Sequence, residues 1–285
     1  MAAQLLQGGP IAVAIKEELN REVERLTAAG VSLCLAAVQV GQNPASAVYV
    51  RQQQRNCEQL GIHYQLHELE ADISPDALAD CLGKLGANPG ITGIILQLPL
   101  PEGMDTRRMQ AVIDPTKDVE GVSPANAGWV VYGRPRLAPC TALAVVELIG
   151  STGIDLYGKN VTVVGHSDIV GKPVGLLLLD KFATVSICHI GTAERGELAD
   201  YVGRAEVLVV AVGKPGVIKG AWVRQGAMVV DVGINRVGDK IVGDVEFEAA
   251  QERAAYITPV PGGVGPLTVT MLMKNTIEAA KWQRE

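Results

Sequence analysis

Ser46, Tyr49 and Gln53 stand three and four residues apart, which sets a hydroxyl, a phenol and an amide along one face of a helix expected from about Ser46 to Leu60. Such a row can orient a polar ligand by hydrogen bonds, and it is also what a solvated helix face carries. Tyr49 lies beside the loop Gly41-Gln42-Asn43-Pro44 at the carboxyl end of an expected strand, where open α/β sheets bind ligands. A second amide, Gln97, interrupts the apolar run Ile94-Ile95-Leu96-Gln97-Leu98-Pro99 and, once buried, needs a partner in a ligand or in the backbone. Lys117-Asp118-Val119-Glu120-Gly121 concentrates charge between Pro115 and Pro124, and in isolation it reads as a surface turn.

Two further segments are built for anions and for close backbone approach. Val163-Val164-Gly165-His166-Ser167-Asp168-Ile169-Val170-Gly171-Lys172-Pro173 reads as a strand, a glycine-bearing turn and a helix start, where backbone N–H groups and the helix dipole favour phosphate. Its glycine spacing is not G-x-G-x-x-G, so alone it is a weak signal. Thr258 to Thr268 packs three glycines and three prolines into eleven residues, a rigid irregular loop that either lines a site or simply connects. Asp231-Val232-Gly233-Ile234-Asn235 ends a strand on the expected ligand side. The four histidines show no metal spacing, and no nucleophilic triad is visible.

Holding these residues takes an alternation of strands and helices. Ile11, Ile15, Leu19, Val23 and Leu26 follow helical spacing behind Pro10, and Leu33 to Val40 is an apolar strand. His63 to Leu69 alternates as a strand, Ser74-Pro75 opens a helix carrying Leu78, Leu82 and Leu85, and Gly93 to Leu98 returns to strand. After a helix over Thr141 to Ile149 come strands at Val161 to Val164, Thr184 to Cys188, Val207 to Val212 and Met228 to Val232, then a small arm at Lys240 to Val245. The rhythm predicts two α/β domains, the second a Rossmann-like doubly wound parallel sheet. The expected boundaries are 1–140 for the first domain and 141–265 for the second, with the last helix, 266–285, packing back on the first.

Composition narrows the function classes. With 285 residues, 48% apolar and 20% charged, the chain suits a globular protein rather than a disordered one. A net charge of −6 with no basic run excludes an electrostatic footprint for nucleic acid. No apolar run approaches the ~18 residues of a membrane span, and no signal-peptide order opens the chain. Five scattered cysteines fit neither a disulfide framework nor a zinc site and read as buried thiols of a cytoplasmic protein.

In order along the chain, Val40-Gly41 through Ser46, Tyr49-Val50, Gln97-Leu98-Pro99-Leu100-Pro101, Lys117-Asp118-Val119, Pro139-Cys140-Thr141, Val164-Gly165 through Pro173, Asp231 to Asn235 and Thr258 to Thr268 resemble the methylenetetrahydrofolate dehydrogenase/cyclohydrolase family over essentially the whole length. The resemblance implies a homodimer with a folate cleft between two domains. It also implies hydride transfer from methylene-tetrahydrofolate to a nicotinamide cofactor and, in bifunctional members, hydrolysis of the methenyl product to 10-formyl-tetrahydrofolate. By position it assigns Tyr49, Gln53, Gln97 and Glu120 to catalysis, and Ser46, Tyr49, Leu98, Pro99, Pro261, Gly262 and Gly263 to the tetrahydrofolate substrate. Thr141, Gly165, His166, Ser167, Ile169, Ile190, Gly233 and Ile234 go to the cofactor, and no metal is implied.

Three departures from the pattern carry their own expectations. The active-site lysine is Gln53, an amide that cannot exchange a proton near neutral pH, and the second aspartate of a Lys-Asp-Val-Asp-Gly pattern is Glu120. Arg51 and Arg55 are two positions away, roughly 200° round the helix, and cannot replace the lysine. Where NADP-using members commonly carry arginine and serine, this chain has His166 and Ile190, which lack arginine's bidentate fork for a 2′-phosphate. The expectation is therefore an NAD-dependent dehydrogenase with a weak or absent cyclohydrolase step. The alternatives are a bifunctional NADP enzyme, with water or Glu120 relaying the proton, and a catalytically silent folate-binding paralogue.

Overall fold

A computed structural model describes residues 3–41 and 44–285, so Gln42 and Asn43 of the loop ahead of Tyr49 lie outside the described residues. The chain begins β1 (Gln4–Leu5), α1 (Gly8–Ala28), β2 (Cys34–Val40), α2 (Pro44–Leu60), β3 (His63–Leu69), α3 (Pro75–Ala87), β4 (Gly93–Leu96), α4 (Thr106–Gln110), α5 (Pro124–Val131) and α6 (Cys140–Gly150). It continues β5 (Asn160–Val164), α7 (Gly171–Leu179), β6 (Thr184–Cys188), α8 (Ile190–Glu194), α9 (Leu198–Arg204), β7 (Val207–Val210) and β8 (Met228–Asp231). β9 (Asn235–Val237), β10 (Lys240–Val242), α10 (Phe247–Gln251), β11 (Tyr256–Ile257) and α11 (Val264–Trp282) complete it. Two compact units result: Ala14–Cys140 with Val269–Glu285, and the segment ending at Val13 with Thr141–Thr268.

The first unit is built on a parallel three-stranded sheet, ordered β3-β2-β4. All seven residues of β2 are buried, the polar Gln39 among them, as expected of a largely apolar strand in a sheet covered on both faces. α3 covers one face, and its Leu78, Leu82 and Leu85 join Ala36, Val38, Ile94 and Leu96 in a single core. Ser74 fixes where α3 starts, its Oγ accepting from the Ala77 N–H at 3.2 Å with Pro75 next in line. The closing stretch of α11 belongs to this unit: Asn275 Nδ2 donates to the Val119 and Ala138 carbonyls at 2.8 and 2.9 Å, and Met273 sulfur lies 3.6 Å from Cys57. All five cysteines are free, and burial raises every thiol pKa, that of Cys57 to about 12.

The second unit carries a parallel six-stranded sheet ordered β1-β11-β8-β7-β5-β6, with β9 and β10 as a separate antiparallel arm. The chain steps from β5 outward to β6, then crosses back to β7 on the other side of β5, so the strand order turns at β5. Two-residue strands β1 and β11 were not expected, and the parallel pairs Gln4↔Tyr256 and Leu5↔Ile257 draw the amino-terminal segment into this unit rather than into 1–140. β4 and β7 stop two residues short of the expected ends, at Leu96 and Val210. That leaves Gln97 and Val212 in the connections that follow. Among the described residues no helix is long and apolar enough to cross a membrane, and no cluster of His, Cys, Asp or Glu could hold a metal ion.

Candidate active site

α2 presents Gln53 inward between exposed Gln52 and Gln54 and buries it completely, while Arg51 and Arg55 stay exposed. Its Oε1 accepts two hydrogen bonds of 2.9 Å, one from Gln97 Nε2 and one from the Tyr64 hydroxyl on β3. The two amides singled out in the sequence are thus partners of one another. Tyr64 was missed, because an aromatic residue in an alternating strand signals only packing. Its hydroxyl pKa is raised, chiefly by burial, so it remains a donor at neutral pH.

Tyr49 borders the same group. Burial first, then the charge of Glu120 and of Cys140, hold its hydroxyl well above the ordinary tyrosine range, against a pull from the Gln53 amide. Ser46, one turn earlier, is buried and has a polar partner. Leu98 and Pro99 are exposed just past Gln97, with the Leu98–Pro99 bond cis.

The Lys117 to Gly121 segment is not a surface turn. Lys117 and Asp118 are buried, with Lys117 Nζ donating to the Asn88 carbonyl at 2.6 Å. The segment runs alongside β4 in parallel, Ile94 opposite Asp118, so Glu120 comes level with Leu96, whose backbone N–H reaches its carboxyl. Asp118 braces the turn from within by accepting from Ser123 N (2.7 Å), Val122 N (3.2 Å) and Asn126 Nδ2 (2.9 Å). Gly121 completes it at φ 66°, where any Cβ would run into the Ala138 backbone. Although Glu120 keeps part of its surface exposed, burial of its carboxyl, followed by the neighbouring Asp118 charge, pushes the pKa up to about 8.

In the other unit, Gly165 leaves β5 at φ 122°, and a Cβ there would strike the Ala211 carbonyl after β7. The turn sits at the point where the strand order reverses. Ser167 Oγ accepts from the Val170 and Gly171 N–H groups at 3.2 and 3.4 Å, and Val170 caps α7 without any side-chain hydrogen bond. Exposed apolar residues fringe the carboxyl ends of the strands: Ile169 is 45% exposed, Ile190 69%, Val212 45% and Ile234 70%. Bare isoleucines around a tight backbone turn fit a dinucleotide, whose flat adenine would cover them. His166 and His189 are exposed there, with ring centroids 5.3 Å apart. Gly233 is buried two residues past the end of β8, and Thr141 is half-buried in the first turn of α6. Pro261 and Gly262 are exposed and Gly263 buried in the loop ahead of α11, where Val260–Pro261 is cis and Gly263 N donates to the Pro259 carbonyl at 2.8 Å.

A parallel sheet turning at a glycine-bearing strand end, joined to an α/β unit with a buried polar cluster, defines a two-unit dinucleotide-dependent enzyme. The chain belongs to the tetrahydrofolate dehydrogenase/cyclohydrolase family: residues 6–120 match its catalytic domain and residues 139–284 its NAD(P)-binding domain. It is 49% identical over 280 residues to the bifunctional protein FolD of Geotalea uraniireducens, covering 98% of this chain and 99% of that one. Among solved structures, the bifunctional FolD methylenetetrahydrofolate dehydrogenase/cyclohydrolase of Campylobacter jejuni superposes with a TM-score of 0.95 at 40% identity, covering 99% of this chain and all of that one. The Trypanosoma brucei methylenetetrahydrofolate dehydrogenase-cyclohydrolase, complexed with NADP and an inhibitor, gives 0.94 at 38% identity, covering 100% and 99%.

Proposed function

We propose that this protein oxidises 5,10-methylene-tetrahydrofolate to the methenyl form and then hydrolyses that product to 10-formyl-tetrahydrofolate at the same site. This replaces the dehydrogenase-only expectation, because relatives with close to half their residues in common are named bifunctional. The observation that carries the reading is Glu120, a buried carboxyl with a pKa of about 8 bordering Tyr49, beside a Gln53 that cannot itself move a proton. Its carboxylate takes a proton from the water whose oxygen adds to the methenyl carbon. The resulting acid returns that proton to the pterin nitrogen as the carbon–nitrogen bond breaks, while the adduct's remaining hydroxyl proton leaves to solvent as the formyl carbonyl forms, so the group ends as it began and one proton is released overall. Gly165, Ser167, Ile169, Ile190 and Ile234 at the β5 turn would hold a nicotinamide cofactor, which would supply the hydride acceptor for the first step.

The cofactor reading is NAD, supported by the bare Ile190 side chain and the absence of arginine at His166. The NADP complex of the Trypanosoma brucei relative favours the other choice. Comparative kcat/KM values decide it, a higher value with NADP overturning the NAD reading. The hydrolytic step is tested by supplying methenyl-tetrahydrofolate. Wild-type protein forms 10-formyl-tetrahydrofolate, and Glu120→Gln lowers that rate about a hundredfold, the usual worth of a general acid–base group, while slowing dehydrogenation far less. If the wild type forms no formyl product above the uncatalysed rate, the dehydrogenase-only reading stands.

A further inference from the structure

The Gln53 amide is held at one end only. Both hydrogen-bonding positions of its oxygen are taken, by Tyr64 and by Gln97, which fixes which way the planar group faces. Its nitrogen is buried and lies towards the Tyr49 hydroxyl, but makes no hydrogen bond of full geometry among the described residues, although the residue is wholly inaccessible to water. A buried N–H pair without an acceptor is costly, and folded chains rarely keep one. This one is kept in the middle of the polar cluster. Gln97 was expected at the site, whereas Tyr64 belongs to none of the motifs that define it.

We propose that Tyr64 is a positioning residue for substrate binding: together with Gln97 it pins the Gln53 oxygen, so that the amide nitrogen is presented as a neutral donor to a lone pair on the folate ring system. The assignment rests on the reading of this site as the folate site. A neutral donor selects an uncharged acceptor, a ring carbonyl or ring nitrogen, where an ammonium would select an anion. Tyr64 suits the task because its ring is half-buried on β3 and its hydroxyl stays protonated. A phenylalanine there would fill the same space, yet leave the amide free to turn over and offer its oxygen where the ligand needs a donor.

The experiment compares Tyr64→Phe, Gln53→Met and the double variant with wild type, measuring KM for methylene-tetrahydrofolate and for the nicotinamide cofactor, the Kd for tetrahydrofolate by calorimetry, and Tm. Each single variant is expected to raise the folate KM and Kd about fivefold to tenfold, the equivalent of one buried hydrogen bond, with the cofactor KM unmoved. In the Gln53→Met background Tyr64→Phe adds nothing to the folate constants, since the group it positions is gone. If Tyr64→Phe lowers Tm but leaves the folate Kd at the wild-type value, or if its effect on Kd is the same in both backgrounds, the proposal is overturned. Wild-type protein that neither binds nor turns over folate would instead bring down the site reading on which it rests.

Discussion

Around Gln53 the polar contacts run between side chains, Tyr64 and Gln97 on one amide oxygen and Glu120 beside Tyr49, while the turn at Gly165 is made by backbone groups with isoleucines around it. A side-chain site can exchange its chemistry through single substitutions and keep its shape. A backbone site tolerates changes at its rim but not in its turn. The side-chain cluster and the backbone turn should therefore respond to substitution in different ways.

The largest expected break comes at the backbone. Gly165→Ala combines a positive φ with a clash against the Ala211 carbonyl, and should cost about 3 kcal/mol in urea unfolding and abolish cofactor binding by fluorescence. If cofactor still binds with wild-type affinity, the turn is not the phosphate cradle.

Next in size is a pH effect on stability from the side-chain site. Glu120 titrates at about 8 in the fold, whereas an ordinary glutamate does so near 4.5, so between these values the unfolded chain sheds a proton that the fold retains. Stability must therefore fall as pH rises through that window, and Glu120→Gln, which has no proton to lose, should gain about 2 kcal/mol on wild type between pH 5 and pH 8. Equal gaps at the two pH values would show that the carboxyl is not held neutral.

Smaller still is the effect of introducing a cation. Gln53→Lys brings an ammonium into the cluster around Tyr49 and Glu120 and should move the acid limb of the hydrolysis pH–rate profile down by about one unit. A limb that stays near 8 would separate the two groups. The least change is at the rim, where Ile190→Ser should raise the NADP to NAD ratio of kcat/KM about fivefold and alter stability by less than about 0.5 kcal/mol. No change in the ratio would move 2′-phosphate discrimination away from Ile190.

Most of the scaffold was legible because its elements bury one face or two. β2, β5, β7 and β8 are apolar runs, and α3 announces itself through Ser74, Pro75 and three leucines. β1 and β11 were invisible, since two residues carry no period and the partner strand lies some 250 positions away. At the site, Gln53, Gln97 and Tyr49 could be named from spacing and family pattern. The hydrogen bond between Gln97 and Gln53 could not, nor could Tyr64, because the contact depends on which way the edge strand β3 turns its ring. Lys117 to Gly121 misled for a related reason: charged residues read as exposed until the Asp118 hydrogen bonds and the Ala138 backbone enclose them.

The five thiols carry a practical consequence. The thiolate is the reactive form, and burial disfavours it at every cysteine in the chain. Alkylating reagents at neutral pH should accordingly modify the folded protein only as fast as it opens. Incorporation at Cys57, enclosed between the central sheet and α11, then becomes a clock for release of the carboxyl-terminal helix.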